Sequence, residues 1–385
     1  MEAAPIYLDY NATTALHPEV WAQMTRVAEM GLPLNPSSLH ASGRRAKALL
    51  AQIRAQVATA CGMLPQEVIF TSGGTEALNL LIRGLLPPTK GTILYGAADH
   101  KAVTATVRSL ETLGYRTRAM APDRSGLLSV ERIAEALSPD VVLMVFGGAN
   151  SETGVIQDLR ALGELAAWHR IPLVIDAVGL LGKEPISWLP GVTGMALSAH
   201  KAHGPTGAGV ALLRKAAHLQ PLHTGGGQEH GRRSGTEALL AWAGAACAIE
   251  LVQLDLPEAA IRMRALRDRL EQKLLALDVP VEIIGAESPR LCNTTCVAFP
   301  GHEGEVLVIE LDRAGVCASH GTACSAGAHE LSPALLSMGL PPAVVRSAIR
   351  FSVGRGTTET DIDEAVCRLE RVLVGAPAHL STSSI

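Results

Sequence analysis

From about Val68 onward, short apolar runs alternate with stretches whose apolar residues recur at helical spacing. The helical stretches start near Thr75, Lys101 and Leu159. The apolar runs are VIF at 68–70, TILYG at 92–96, VVLMVFG at 141–147, PLVID at 172–176, MALSA at 195–199 and AGVALLR at 208–214. Strands that alternate with helices predict an α/β fold with a mostly parallel sheet wrapped by helices.

Polar and glycine residues follow these apolar runs. They are Ser72 to Thr75, His100, Asn150, Asp176 and Ser198 to Lys201. In open parallel sheets, ligands bind outside the carboxyl ends of the strands. The sequence therefore predicts a ligand site at that edge of the sheet.

A chain of 385 residues exceeds one ordinary core, and 48% hydrophobic residues suffice to fill two. After Thr236 the pattern changes to a long apolar helix at 238–256 and a charged amphipathic one at 262–277. We therefore predict a large α/β domain over 16–258 and a smaller α+β domain made of 1–15 plus 259–385.

Charge and cysteine usage narrow the possible partners and compartments. The formal charge is −4 and no Lys/Arg-rich run is present, so nucleic acid has little electrostatic reason to bind. No signal peptide or membrane-spanning run is evident, and we expect a cytoplasmic protein.

Seven irregularly placed cysteines suit reduced thiols better than a disulfide framework. Cys292 and Cys296 could suggest a metal, but no second pair has ligand spacing, so no metal site is expected.

A glycine-rich turn follows the first apolar run. The segment FTSGGTEA at 70–77 ends a strand and opens a helix, so backbone N–H groups and the positive helix end converge on one point. A phosphate would fit there, although such turns are common without ligands. The turn is neither a P-loop nor G-x-G-x-x-G, which disfavours nucleotides.

A lysine and an aspartate follow two later strands. Lys201, if buried, would have a lowered pKa, as an amine needs to form a Schiff base, although an isolated Ser-x-His-Lys is more often a surface loop. Asp176 could pair with a protonated pyridine nitrogen, or it could merely cap a helix. The order of these features along the chain, with the glycine-rich turn first, then Asp176 and then Lys201, favours a pyridoxal 5′-phosphate (PLP) enzyme with the aspartate-aminotransferase-like fold.

Ten segments give a more specific resemblance, to the cysteine desulfurases of the class V aminotransferase group. They occur in that family's order along nearly the whole chain. They are YLDYNATT at 7–14, NPSSLH at 35–40, FTSGGTE at 70–76, DHKAV at 99–103, NSETG at 150–154, SAHKAHGP at 198–205, GGGQE at 225–229, RSGT at 233–236, GTACS at 321–325 and IRFS at 349–352.

The resemblance implies a role for each matching residue. Lys201 would bind PLP covalently, His100 would stack on the pyridine face, and Asp176 would pair with the ring nitrogen. Because Thr236 matches a threonine that reaches the neighbouring subunit's phosphate, a homodimer is implied. The implied cofactor-binding residues are Gly74, Thr75, Asn150, Asp176, Ser198, His200, Lys201 and Thr236. Those implied around the substrate carboxylate are Asn35, Asn150 and Arg350.

Cys324 matches the family cysteine that accepts sulfur as a persulfide. Its thiolate would attack the sulfur of a substrate activated by PLP. The small residues GTACSAGA at 321–328 suit a segment that swings, and the spacing to Ser332 resembles the branch with an extended mobile cysteine loop. Outside the family match, Cys324 would be read as a small buried residue, His100 as an ordinary helix start, and Arg350 as half of a surface salt bridge.

One residue departs from the family pattern. Members generally carry a glutamine three residues after the ring-nitrogen aspartate, where it bonds the cofactor's 3-oxygen, and this chain has Gly179 there. The chain also ends soon after its last helix, without the extension by which some relatives bind the general iron–sulfur scaffold.

The expected function is conversion of L-cysteine to L-alanine, with sulfur left on Cys324 and passed to an acceptor such as an iron–sulfur scaffold protein. Two alternatives stay open. One is a selenocysteine lyase or another class V lyase or aminotransferase. The other is a degenerate homologue that only binds partners, which the loss of glutamine at Gly179 would support.

Overall fold

The computed structural model describes residues 5–31, 35–321 and 331–375. Its strands are β1 (Ile6–Tyr7), β2 (Val68–Thr71), β3 (Thr92–Gly96), β4 (Arg116–Met120), β5 (Val141–Gly147), β6 (Leu173–Asp176), β7 (Val192–Ser198), β8 (Gly209–Leu213), β9 (Glu282–Ile284), β10 (Thr294–Ala298), β11 (Val316–Cys317) and β12 (Ala348–Ser352). Its α-helices are α1 (Pro18–Glu29), α2 (Ala41–Ala60), α3 (Gly74–Gly84), α4 (Lys101–Ser109), α5 (Val130–Ala136), α6 (Leu159–His169), α7 (Leu239–Leu254), α8 (Leu256–Leu275), α9 (Gly304–Arg313), α10 (Pro333–Ser337), α11 (Pro342–Arg346) and α12 (Glu359–Gly375).

Seven of the described strands form one sheet in the order β2-β8-β7-β6-β5-β3-β4. All neighbours are parallel except β8, which runs antiparallel to both β2 and β7. Helices cover both faces, and the central strands are buried almost throughout. The predicted α/β fold with a mostly parallel sheet is therefore confirmed.

Local side-chain bonds explain where several helices begin. The Asp158 carboxylate accepts a hydrogen bond from the Ala161 N–H and starts α6, and the His100 ring accepts one from the Ala102 N–H and starts α4. Both starts agree with the sequence prediction, and α3 begins one residue before the predicted Thr75.

A second group of strands lies apart from the large sheet. Strands β9, β10 and β12 form an antiparallel sheet, and β1 pairs in parallel with β11. Leu8, Phe299 and Phe351 are buried there among residues from α8, α9 and α12. The predicted boundary between residues 258 and 259 falls in the first turn of α8 and stays a prediction, which these separate buried cores support.

The predicted apolar helix corresponds to α7, and the charged one to α8. They meet at Asp255 with a bend of 73°. Among the described residues, no single helix is long and apolar enough to cross a membrane, and this bent pair meets the length and composition criteria only when both helices are taken together.

Candidate active site

A cavity of about 430 Å³ opens at the carboxyl ends of β2, β3, β5, β6 and β7. Parallel strands place their carboxyl ends at one edge, which brings together residues far apart in sequence. Of the predicted residues, the cavity is lined by Gly74, Thr75, His100, Asn150, Asp176, Ser198, His200, Lys201 and Arg350.

One end of the cavity is formed by the start of α3. Gly73 occupies the N-cap and offers no side chain to cap the helix, so the first N–H groups, which belong to residues that line the cavity, receive no side-chain cap. A Cβ added to Gly74 would lie 2.7 Å from Val178 Cγ2 and 3.4 Å from Ser198 Cβ. Only glycine therefore lets the helix start approach Val178 this closely. Backbone N–H groups, the helix dipole and the Ser198 hydroxyl together suit a phosphate.

Asp176 also lines the cavity, as the last residue of β6. Its Oδ1 accepts a hydrogen bond from the Val178 N–H at 3.0 Å. Desolvation raises the pKa of its carboxyl group, against the lowering effect of His100 and Lys201. A protonated ring nitrogen beside it would supply the positive charge that stabilises the ionised form.

His100 has two roles that the sequence presented as alternatives. Its Nδ1 accepts the Ala102 N–H at 3.0 Å, so the imidazole caps α4 while it lines the cavity. Burial is the main cause that lowers its pKa, and the charge of Lys201 lowers it further. The lowered pKa favours the neutral ring, and a neutral ring whose Nδ1 accepts a hydrogen bond carries its proton on Nε2.

Asp99 is a cavity residue that the sequence reasoning did not single out. Its Oδ2 accepts the Gly147 N–H at 2.9 Å, and Gly147 is paired with Asp176 across β5 and β6. Desolvation, reinforced by the charge of Asp176, raises its pKa to about 8. Asp99 and Asp176 thus act on each other electrostatically, and burial favours the protonated form of Asp99. Its position directly before His100 was the available signal.

Lys201 lies in a short 3-10 turn at 199–201 that follows β7. Its backbone carbonyl accepts a hydrogen bond from Lys183 Nζ at 3.2 Å. Burial, then the charge of Lys201, lowers the pKa of Lys183 to about 7. The His200 carbonyl accepts the Thr14 hydroxyl at 2.8 Å. Contacts from two sides therefore fix the backbone of the turn.

Arg350 reaches the cavity from β12 and is 3% exposed. Its Nη2 donates to Asp9 Oδ1 at 2.6 Å, and its Nη1 donates to the Ser151 carbonyl at 3.0 Å. The Ser319 hydroxyl donates to the second oxygen of Asp9 at 3.0 Å. The buried Nε has no hydrogen-bond partner among the described residues. A carboxylate in the cavity would give this guanidinium a second anionic partner.

The amide of Asn150 is used mainly for local structure. Its Nδ2 donates to the Ala98 carbonyl at 3.0 Å, and its Oδ1 accepts the N–H groups of Glu152 and Thr153 at 2.9 Å. One N–H of the amide remains for a cofactor or substrate. Asn150 also ties the chain after β5 to the residues before His100.

Two predicted residues are absent from the described cavity wall, and a third falls outside the described ranges. Asn35 is exposed, accepts the Ser37 N–H, and is not among the described cavity residues. Thr236 is also exposed and outside this wall, as expected if it serves a neighbouring subunit. Cys324 lies outside the described residues, so its role stays a prediction.

Cys292 and Cys296, considered above for metal binding, are both buried. The Cys292 sulfur lies 4.0 Å from the Lys183 carbonyl oxygen, and burial raises the pKa of both thiols. Across the three described ranges, His, Cys, Asp and Glu side chains form no group of three that could hold a metal ion.

Gly179 lines the cavity three residues after Asp176. A Cβ added there would meet only the Ala149 carbonyl oxygen, at 3.7 Å. A Cβ is therefore accommodated, and glycine is not required there to avoid a backbone clash.

The residues around the cavity fit PLP. The helix start and Ser198 suit its phosphate, the desolvated Asp176 suits its protonated ring nitrogen, and Lys201 supplies an amine in the same cavity. The cavity wall thus offers groups whose charges suit the phosphate, the ring nitrogen and the aldehyde of PLP.

Comparison with known proteins agrees with this geometry. The family "Aminotransferase class-V" matches residues 6–365. The cysteine desulfurase of Cereibacter sphaeroides is 42% identical over 368 residues, which cover 93% of each chain. Cysteine desulfurase 2 of Trichormus variabilis is 38% identical over 370 residues, 94% of this chain and 91% of that one. A solved structure described as a NifS-like protein superposes with a TM-score of 0.89 at 31% identity, covering 97% of this chain and 100% of the other.

These matches define the class as PLP-dependent transferases of fold type I. The chain belongs to the class V aminotransferase family and, within it, to the cysteine desulfurases.

Proposed function

We propose that the protein converts L-cysteine to L-alanine, with Lys201 binding PLP and Cys324 accepting the sulfur as a persulfide. The observation that carries this proposal is a single cavity in which Lys201, His100 and Asp176 meet the start of α3. Full-length relatives named cysteine desulfurase support the choice of substrate.

The cavity residues have distinct tasks. Asp176 would bind the ring nitrogen of PLP, His100 would cover the ring face, and Thr75, Ser198, His200 and the start of α3 would hold the phosphate. When bound, PLP withdraws electrons from the substrate α-carbon. Arg350, held in place by Asp9 and Ser151, would orient the substrate through its carboxylate.

The sulfur transfer balances without an added oxidant or reductant. The Cys324 thiolate attacks the substrate sulfur, so that an S–S bond forms as the C–S bond breaks. The electron pair of the broken bond stays with the substrate carbon, which takes up a proton and leaves as alanine. The enzyme keeps the sulfur as a persulfide on Cys324, which an acceptor or a thiol can remove.

The direct test incubates the purified protein with L-cysteine and measures alanine and sulfide with and without a thiol reductant. Alanine should form, and sulfide release should depend on the reductant. Borohydride reduction and peptide mapping should place the cofactor on Lys201, and Lys201→Ala should lose that label. A label on Lys183 or Lys215, or no alanine from a PLP-loaded chain, would contradict the proposal.

We also propose that the chain works as a cytoplasmic homodimer that passes sulfur to an acceptor such as an iron–sulfur scaffold protein. Exposure of Thr236 supports the dimer, because its family counterpart serves the neighbouring subunit. Light scattering of the purified protein tests the dimer. Transfer of labelled sulfur from Cys324 to candidate scaffold proteins tests the acceptor, and cell fractionation tests the location.

A further inference from the structure

Arg54 and Glu229 form a buried ion pair next to β2, the strand that leads into the turn before α3. Glu229 Oε1 and Oε2 accept hydrogen bonds from Arg54 Nη2 at 2.5 Å and Nη1 at 2.7 Å. The Glu229 side chain is 0% exposed and that of Arg54 is 8% exposed. Glu229 Oε2 also accepts the Phe70 N–H at 2.8 Å. The carboxylate is thus fixed to β2, two residues before the turn that starts α3.

The backbone at this carboxylate is strained. Glu229 and the next residue, His230, have φ of 49° and 58°, in the left-handed region that residues with a side chain seldom adopt. Two consecutive residues of this kind persist only where surrounding contacts determine the conformation. The Arg54 and Phe70 bonds to Glu229 are such contacts.

Four residues further along, the same segment contacts the cavity wall. Arg233 Nε and Nη2 donate to Glu76 Oε1 and Oε2 at 2.8 and 3.3 Å. Glu76 lies in the first turn of α3, lines the cavity, and accepts the Ser72 N–H at 2.7 Å. The Arg233 and Ser72 bonds outweigh desolvation and lower the Glu76 pKa to about 2, so this second link is ionised at neutral pH.

We infer that Glu229 is a positioning residue for the phosphate end of the cavity. It clamps the segment 229–233 to β2, and the left-handed turn then directs Arg233 onto Glu76, which fixes the first turn of α3. The strained backbone and the buried charges serve to hold this geometry. The inference rests on the proposed function, because it assigns the phosphate of PLP to that turn.

The test compares two glutamate substitutions that remove the same kind of ion pair. Glu229→Gln removes the charge behind the cavity. Glu271→Gln removes the charge of a pair of similar burial, in which Arg290 donates to Glu271 at 2.6 and 3.0 Å. Among the described residues that form the cavity wall, neither Glu271 nor Arg290 is present. Both variants should lower the melting temperature, but only Glu229→Gln should weaken PLP binding, on the order of tenfold or more.

A second pair of variants changes how readily residue 230 adopts a positive φ. Both variants keep the charges of the Arg54–Glu229 and Arg233–Glu76 pairs. His230 is exposed, so its replacement removes no core packing. His230→Gly accepts a positive φ and should keep the wild-type Kd for PLP, whereas His230→Val resists it and should raise that Kd. If Glu229→Gln does not fold, the comparison of His230→Gly with His230→Val still tests whether the conformation of this turn affects PLP binding.

Two readouts complete the experiment. The Kd is measured by titrating PLP into the stripped protein and following its visible absorbance. Trypsin cleavage after Arg233 in the stripped protein should become faster in Glu229→Gln and His230→Val only. A Kd and a cleavage rate that stay at wild-type values in both variants would overturn the inference. Failure of the wild-type chain to bind PLP would instead overturn the proposed function.

Discussion

Replacement of Lys183 by methionine should stabilise the cofactor-free protein near pH 6 but not near pH 10. Lys183 is 7% exposed, and burial lowers the pKa of its ammonium group from 10.5 to about 7. Lys201, Cys292 and Arg355 are the charged or titratable groups that act on it. In the unfolded chain the group keeps its ordinary pKa, so between pH 7 and 10.5 the unfolded state binds more protons than the folded one.

The sign and size of the effect follow from this difference. Below pH 7 both states are charged, and burial of the charge costs the folded state about 5 kcal/mol, at about 1.4 kcal/mol per pKa unit. The cost falls as pH rises and vanishes near pH 10.5. Methionine removes the charge, but it also loses the Nζ bond to the Lys201 carbonyl, worth about 1 kcal/mol. The net gain should be about 4 kcal/mol at pH 6, or about 5 °C in melting temperature for a chain of this length.

The assay is thermal unfolding of Lys183→Met and wild-type protein from pH 6 to pH 10. The variant should melt higher at pH 6 and at or slightly below the wild-type temperature at pH 10. Lys215→Met is the matched control, because Lys215 is exposed and its replacement should give no pH-dependent difference. A Lys183→Met difference that stays constant across this range would refute the idea of a buried, titrating ammonium group.

Three further predictions concern the holoenzyme. A Cβ at Gly179 clears the Ala149 carbonyl, so Gly179→Gln should place an amide in the cavity. Its bond to the cofactor should shift the pH titration of the visible absorption band by about one to two units, and an unchanged titration would show that another group already fills this role. Cys324→Ala should keep the visible band but lose alanine production and the protein persulfide, and wild-type turnover would contradict the assignment of Cys324. Arg350→Lys keeps a positive charge beside Asp9 but loses the bidentate geometry of the guanidinium. The KM for cysteine should therefore rise on the order of tenfold or more while the visible absorption band stays unchanged. An unchanged KM would show that Arg350 does not bind the substrate.

The sequence was informative where function depends on residues next to a strand end. Gly74, His100, Asp176 and Lys201 each follow an apolar run, and parallel strands bring such positions to one edge. Fold class and site could therefore be predicted together. His100 shows a limit, because the sequence offered a helix start and a cavity residue as alternatives, whereas one imidazole does both.

Contacts that depend on tertiary pairing were not predictable. Asp99 lies near Asp176 because Gly147 pairs with Asp176 across two strands, and no local pattern reports that register. The Arg54–Glu229 pair joins residues 175 positions apart. Likewise, no local pattern around Lys183 indicates that its amine bonds the Lys201 carbonyl.

The pairing of β1 with β11 constrains the order in which the chain can mature during synthesis. Ile6 can pair only after Val316 has been synthesised, and Asp9 can form its ion pair only after Arg350 has been synthesised. At about 5–20 residues per second, on the order of 15 to 60 s separate the emergence of the two paired strands. All strands of the large sheet, which end at Leu213, are made well before then. A nascent chain would therefore form the part of the cavity wall that follows the large-sheet strands first, and would acquire Arg350 and its pair with Asp9 only near the end of translation.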